Sequence, residues 1–391
     1  MRVIVVGLGA MGSSAAMQCA LRGAHVRGIE RFARGHVFGA SNGKSRIIRQ
    51  AYYEDAAYVP LLLRAYELWR DLEHRANERL LHLVGLLLAG REGSAILQGT
   101  LAAAREHGLN VDALDTRDVR ARYPALRVED GEVGLFEPLG GLLVPEVAVR
   151  AFAHVAEDAG AELRFETKME SWSASDDGVE VTLEDGTRLQ ADALVLALGP
   201  WFEAEMARAG VPMRVQRNVQ LWFSPATDAY DATRFPAFLL DRQSLPAPLY
   251  GFPDLGDGVK AALHGYGAVA HPDGLDRTVD VERDVVPVAR ALDAWMPGAS
   301  AVFREGRACM YSLTPDEHFV IDVHPQHRNV VLCGGFSGHG FKFASAVGEV
   351  VADLALAGET RHDVGFLSAR RFSRERRTAI DNAGLGAFHL K

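Results

Sequence analysis

The chain has 391 residues, enough for two or three domains at roughly 100 to 200 residues each and for a large buried core. Hydrophobic residues make up 48% and charged residues 24%, an ordinary globular balance that excludes a disordered, collagenous or coiled-coil chain. Lys and Arg total 42 against 51 Asp and Glu, a net charge of −9, which disfavours nucleic acid and anionic membranes as partners but leaves room for a local basic pocket.

Residues 2–6 are a short β-branched run, Gly7-Leu8-Gly9-Ala10-Met11-Gly12 opens a helical pattern through Leu21, and residues 25–29 read as a second strand ending at Glu30. The glycines interrupt the apolar start, so it reads as the first strand of a βαβ unit rather than as a leader peptide. Gly7 suits a tight turn, Gly9 a close backbone approach to a pyrophosphate and Gly12 close packing of helix on strand. The helix N-terminus offers free N–H groups to phosphate, and Glu30 can accept from a ribose diol. This motif fits FAD and NAD equally.

The spacing of Val59, Leu62, Leu63, Tyr66, Leu68 and Trp69 predicts a long amphipathic helix over residues 58–81, with Pro60 in its first turn. The apolar stretch 83–89 is far shorter than the roughly 20 residues of a membrane span. A helix is expected over 146–157, a hairpin from 179–183 and 187–189 around Glu184-Asp185-Gly186, and a buried strand over 193–197 leading into Leu198-Gly199-Pro200. Residues 212–311 shift toward Pro, Gly and aromatic residues with short strand-like runs, which suggests a separate mixed sheet. A strand over 330–333 and a helix over 343–356 closed by Gly358 complete the pattern.

Cys19, Cys309 and Cys333 include no C-x-x-C pair, which points to a reducing cytoplasm and no zinc or disulfide framework. His324 and His327 read as exposed loop histidines rather than a metal pair, and no metal is expected. Arg370, Arg371, Arg374, Arg376 and Arg377 read as a solvated helix face. The segment Gly335-Phe336-Ser337-Gly338-His339 fails as a hydrolase nucleophile elbow, because His339 stands where glycine is needed.

Four segments together carry a resemblance: Arg46-Ile47-Ile48-Arg49, Tyr250-Gly251-Phe252-Pro253, Arg307 to Phe319 around Cys309, and Gly334 to Lys342. With the first glycine motif they make the chain similar, nearly end to end, to the monomeric sarcosine oxidase family, which includes N-methyltryptophan and pipecolate oxidases. The resemblance implies an α/β fold: a Rossmann-type FAD domain like that of p-hydroxybenzoate hydroxylase, joined to a second, α+β catalytic domain with a mixed sheet. The expected FAD-binding segments are 1–76, 147–212 and 316–391, and the catalytic segments 77–146 and 213–315.

The family binds FAD covalently through a cysteine thioether, and Cys309 matches that position; a cationic neighbour such as Arg307 would favour the thiolate that attachment needs. Gly7, Gly9, Met11, Gly12, Glu30, Ser41, Gly199, Gly338, Gly340 and Lys342 are the other expected cofactor contacts. Arg49 and Lys342 match the pair that holds a substrate carboxylate, Arg46 a cation near the flavin, and Lys260 a lysine that activates oxygen on the opposite flavin face. His264, Tyr250 and Tyr311 match the lining of the substrate cavity. Asn42 and Lys44 depart from the histidine and aspartate of sarcosine and N-methyltryptophan oxidases and resemble the pipecolate oxidase version, and the neutral amide of Asn42 suggests room for a bulkier amine. The resemblance thus implies a monomer that oxidises sarcosine or another secondary amino acid with O2, giving an imine and hydrogen peroxide. A cyclic amino acid such as pipecolate or proline as substrate, or an acceptor other than oxygen, are the alternatives.

Overall fold

From Val3 to Val6 the first strand is β-branched and buried on both faces, which is what a strand in the middle of a parallel sheet requires. In the computed structural model, which describes residues 1–372, Arg2–Val6 pairs in parallel with His25–Ile29 on one side and Ala193–Leu196 on the other. Glu162–Arg164 extends the sheet at one edge, and His327–Gly334 followed by Val320–His324 at the other. Alternation decides the two faces: Val3 and Val5 pack into a helical core, Ile4 and Val6 into a second core under another sheet.

The helical side is built from Ala10–Leu21, Val59–Ala76, Pro145–Asp158 and Ala344–Ala357. The other side is a three-stranded antiparallel sheet, Met169–Ser175, Gly178–Leu183 and Arg188–Ala191, which contains the expected hairpin. The long second helix stops at Ala76, short of the expected residue 81. Asn77 takes a left-handed conformation (φ 50°) and caps it, and the Glu73 carboxylate then accepts from the amides of Leu80 and Leu81, which start a short strand.

A nine-stranded sheet contains the Pro, Gly and aromatic-rich region. Its long pair, Arg214–Ser224 and Val302–Leu313, runs antiparallel with Asn218 opposite Cys309. Leu86–Arg91 pairs in parallel with Ala237–Leu240 and antiparallel with Glu132–Glu137, so the sheet is mixed and is assembled from distant chain segments. The helices Thr116–Arg122 and Val286–Trp295 help close a core on one of its faces.

Two surface expectations are corrected. His324 is buried at a strand end, and it packs with His327 edge-on against Trp172, at ring centroid distances of 5.8 and 5.4 Å. Arg371 is also buried, paired with Asp316 at 2.7 Å in a single turn of tight helix, because it closes the chain over the strand before it; Arg374, Arg376 and Arg377 lie outside the described residues. Among the described residues no helix is long and apolar enough to cross a membrane, and no group of three His, Cys, Asp or Glu could hold a metal ion.

Candidate active site

A cavity of about 480 Å³ is lined from the loop after the first strand to Arg49 and Lys342. Of the expected site residues, all but Gly12 and Lys260 line it. Gly7 has φ +90°, and a Cβ there would lie 2.3 Å from the Ala197 carbonyl oxygen; at Gly12 it would lie 1.7 Å from that of Gly7. Those two glycines are needed for backbone packing. At Gly9 a Cβ would come no closer to protein than 3.6 Å, at Ser41 Oγ, so what its absence opens is cavity.

The helix Ala10–Leu21 begins at Gly9 with no side-chain cap, and the Ala10 amide donates to Ser41 Oγ at 3.2 Å. Glu30 accepts from the Leu8 amide at 2.8 Å and from the Phe32 amide at 3.0 Å, which locks the loop to the second strand. A carboxylate offers about four lone-pair directions, so Glu30 keeps capacity for a ribose hydroxyl. A helix start without a side-chain N-cap, a loop that lacks Cβ atoms at Gly7 and Gly9, and a cavity of this size fit a dinucleotide.

Beyond this cradle, Cys309 lines the cavity from the long strand pair. The cation beside it is Arg46, whose Nη2 lies 3.5 Å from Sγ and which also donates to Gln220 Oε1 at 2.9 Å and Ala40 O at 3.1 Å. Arg307 was the expected neighbour, but its guanidinium lies 5.7 Å over the Trp222 ring and 3.9 Å from Glu305, away from the cavity. Cys19 and Cys333 are buried, and burial pushes the Cys19 thiol up to about 12 and raises that of Cys333. Gly338 (φ +83°) and Gly340 bring their loop against the rings of Tyr311 and Phe336, where a Cβ would lie 2.3 and 2.4 Å from ring atoms.

The far end is an electrostatic cluster. Arg49 is buried between the rings of Tyr52 and Tyr53 at 4.2 and 4.4 Å, donates to Ala51 O at 2.9 Å, and pairs with Glu54. Burial opposes ionisation of Glu54, but Arg49, helped by His339 and Lys342, holds its carboxyl at about 2. Lys342 donates to the His339 carbonyl at 2.7 Å; burial and then Arg49 push its amine down to about 7, with Glu54 opposing.

The Nε2 of His339 faces Glu317 O at 3.0 Å, which can only accept, so that nitrogen carries the proton and Nδ1 accepts from Tyr52 Oη at 2.5 Å. Burial holds this ring neutral, with its pKa at about 3. Tyr311 Oη sits 3.4 Å from His264 Nδ1, and Tyr250 meets the same imidazole edge-on at 6.1 Å. Burial lowers the pKa of His264, which keeps it neutral.

Glu54, Tyr53 and His339 are cavity residues that the motifs did not single out. Nothing in the local spacing marks Glu54, since its partner becomes evident only when the chain bends back at Ala51. Glu137 is a further omission: from the distant strand Glu132–Glu137 it accepts from the amides of Gln50 and Ala51 and so sets the turn that carries Arg49.

Two other residues sit differently from expectation. Asn42 is off the cavity, its amide donating to Val37 O and Gly39 O at 3.0 and 2.8 Å, so it ties down a loop rather than shaping room for an amine. Lys260 lines a separate, smaller cavity; it donates to Gly43 O at 2.5 Å, Ser45 O at 2.7 Å and Ser45 Oγ at 3.3 Å.

The chain is similar along nearly its whole length to known proteins. A monomeric sarcosine oxidase of Streptomyces avermitilis is 41% identical over 377 residues, covering 95% of this chain and 97% of that one. An N-methyl-L-tryptophan oxidase of Yersinia pestis is 32% identical over 95% of this chain and 99% of its own length. Among solved structures, NikD, described as an unusual amino acid oxidase essential for nikkomycin biosynthesis, superposes with a TM-score of 0.82 at 26% identity, covering 94% and 96% of the two chains. L-proline dehydrogenase from P. horikoshii shares the fold, with a TM-score of 0.83 at 23% identity over 96% and 98%. Residues 2–354, from the glycine cradle through the helix behind Lys342, match the FAD dependent oxidoreductase family, and the chain belongs to it.

Proposed function

We propose that this flavoenzyme oxidises secondary amino acids, sarcosine and related N-methyl amino acids, with dioxygen as the final acceptor. For sarcosine, the amine, O2 and water would give glycine, formaldehyde and hydrogen peroxide. The observation that carries the reading is one continuous cavity in which the dinucleotide cradle, Cys309 and the Arg49 and Lys342 end follow one another. The names of the relatives support the substrate class.

Gly7, Gly9, Met11, Glu30, Ser41 and Gly199 would hold the dinucleotide, and Cys309 would carry the flavin as a thioether, with Arg46 stabilising the thiolate. Bound FAD supplies a two-electron acceptor for the hydride leaving the carbon next to nitrogen. Arg49 is already paired with Glu54, so Lys342 is the cation with charge to offer an incoming carboxylate. Holding that carboxylate turns the amine toward the middle of the cavity, and orientation in a water-poor site supplies much of the rate. Tyr250, Tyr311 and neutral His264 wall the reacting end without repelling an amine.

Lys260 would favour the negative charge that develops as O2 is reduced. The FAD-binding and catalytic segments divide in this reading as the two large sheets do, and the enzyme acts as a cytoplasmic monomer.

The test is acid precipitation of the yellow protein together with an amine-dependent peroxide assay on sarcosine, N-methyl amino acids, proline and pipecolate. Colour in the pellet, lost to the supernatant in Cys309→Ala, with peroxide from one of these amines, is the expected result. Covalent flavin in Cys309→Ala overturns the attachment site. Anaerobic bleaching by an amine without peroxide in air overturns the oxidase reading in favour of another acceptor, and no bleaching by any of the amines overturns the substrate class.

A further inference from the structure

Lys260 faces a second cavity of about 190 Å³, lined also by Lys44, Ser45, Trp222, Phe252, Pro253, Leu255, Asp257 and Gly258. Two buried rings form part of its inner wall: Trp222 and Phe252 are each 1% exposed, and Lys260 Nζ lies 5.3 and 5.0 Å over them. Its outer rim is wet, with Leu255 47% exposed. There Lys44 pairs with Asp257 at 2.9 Å and with Glu305, its ammonium 4.9 Å over the same Trp222 ring.

Between the two cavities stands a wall of a few residues. Gly43 and Ser45 give their carbonyls to Lys260 on the side of the small cavity, while Arg46 turns its guanidinium to Cys309 in the large one. Glu146 pins the wall by accepting from the amides of Gly43 and Lys44, so the backbone is fixed and the Lys44 side chain is the adjustable part. A half-exposed ion pair contributes little stability and opens readily.

We propose that the small cavity is the passage by which dioxygen reaches Lys260, separate from the route of the amine, with the Lys44 ion pair as its gate. This rests on the reading of the chain as an O2-dependent oxidase. A small apolar gas suits walls of Trp222, Phe252, Pro253 and Leu255, whereas an amino acid would find no free cation for its carboxylate. The large cavity then serves the amine alone, and each reactant approaches the wall at Gly43 to Arg46 from its own side.

Two measurements on the holoenzyme test this. Crystals pressurised with xenon, an apolar gas used as the probe, are expected to show a xenon atom between Trp222, Phe252 and Leu255, absent in Leu255→Trp. In stopped-flow work, enzyme reduced anaerobically by amine and mixed with O2 is expected to reoxidise several-fold more slowly in Leu255→Trp than in the parent. Lys44→Met is expected to reoxidise faster than the parent, and the anaerobic reduction rate is expected to be the same in all three.

No xenon in this cavity, or equal reoxidation of Leu255→Trp and a fast parent, overturns the passage alone. Equal reoxidation of Lys44→Met and the parent overturns the gate. A parent that reoxidises no faster than free flavin overturns the oxidase reading and the passage with it.

Discussion

In the proposed reading, substrate affinity turns on Lys342. Its amine sits at about 7 because burial and Arg49 both disfavour the charged form. A carboxylate ligand needs the ammonium, so above pH 7 binding must take up a proton, while below it the cation is already present. The dissociation constant of a non-oxidisable carboxylate such as acetate is therefore expected to be flat below that pH and to rise by about tenfold per unit above it. His339 and His264 do not produce this limb, since burial lowers both and the first sits at about 3. Flavin absorbance titrations at several pH values would show it; a limb that persists in Lys342→Gln would assign it elsewhere. Most of the groups around this lysine were legible as motif residues, but Glu54, which decides that Arg49 is neutralised and Lys342 is not, was not legible. Its importance lies in a contact across a bend, and no periodicity encodes that.

At the scale of elements, the turn bearing Arg49 is held by a strand from the other sheet. Glu137 is buried, and burial raises its carboxyl to about 7 against the amides of Gln50 and Ala51 and the charge of Arg49, which lower it. A folded pKa above the unfolded value means that the contribution to stability is full below about 4.5 and is lost as pH rises through 7. The shift corresponds to about 3 kcal/mol at ~1.36 kcal/mol per unit. Glu137→Gln removes the ionisation and keeps an acceptor for the turn, so it is expected to gain stability relative to the parent by up to that amount between pH 4.5 and 8. Urea unfolding of the two proteins at both pH values measures the difference, and a constant difference would mean that Glu137 does not titrate in this range. The secondary structure itself was largely readable, because βαβ periodicity, Pro60 and Gly358 are local signals. The small sheet formed by Arg46–Ile48, Leu81–His82 and Gly141–Leu143 was not, since strands of two or three residues carry no pattern and exist only through their partners.

For the whole molecule, the cavity is the joint between two separately cored sheets. Gly7 to Met11, Ala197 to Pro200 and the Gly338 loop reach it from the six-stranded side, while Leu239, Tyr250, His264 and Cys309 to Ser312 reach it from the nine-stranded side. A ligand that fills it touches both, and a ligand bound only by the folded state stabilises that state by mass action, about 2.7 kcal/mol at one hundred times its Kd. In Cys309→Ala stripped of flavin, added FAD is therefore expected to raise Tm progressively with its concentration, by several degrees at saturation. AMP, which can occupy only the cradle around Glu30 and Gly9, is expected to raise it less even at the same multiple of its Kd, because it leaves the nine-stranded side untouched and lets that sheet unfold first. Following the melt by far-UV circular dichroism and by tryptophan fluorescence separates the cases, since Trp201 borders the cradle and Trp222 lies in the nine-stranded sheet. Coincident transitions with FAD and split ones with AMP would establish that the cofactor joins the two halves; an equal shift from both ligands would confine its grip to the first glycine loop.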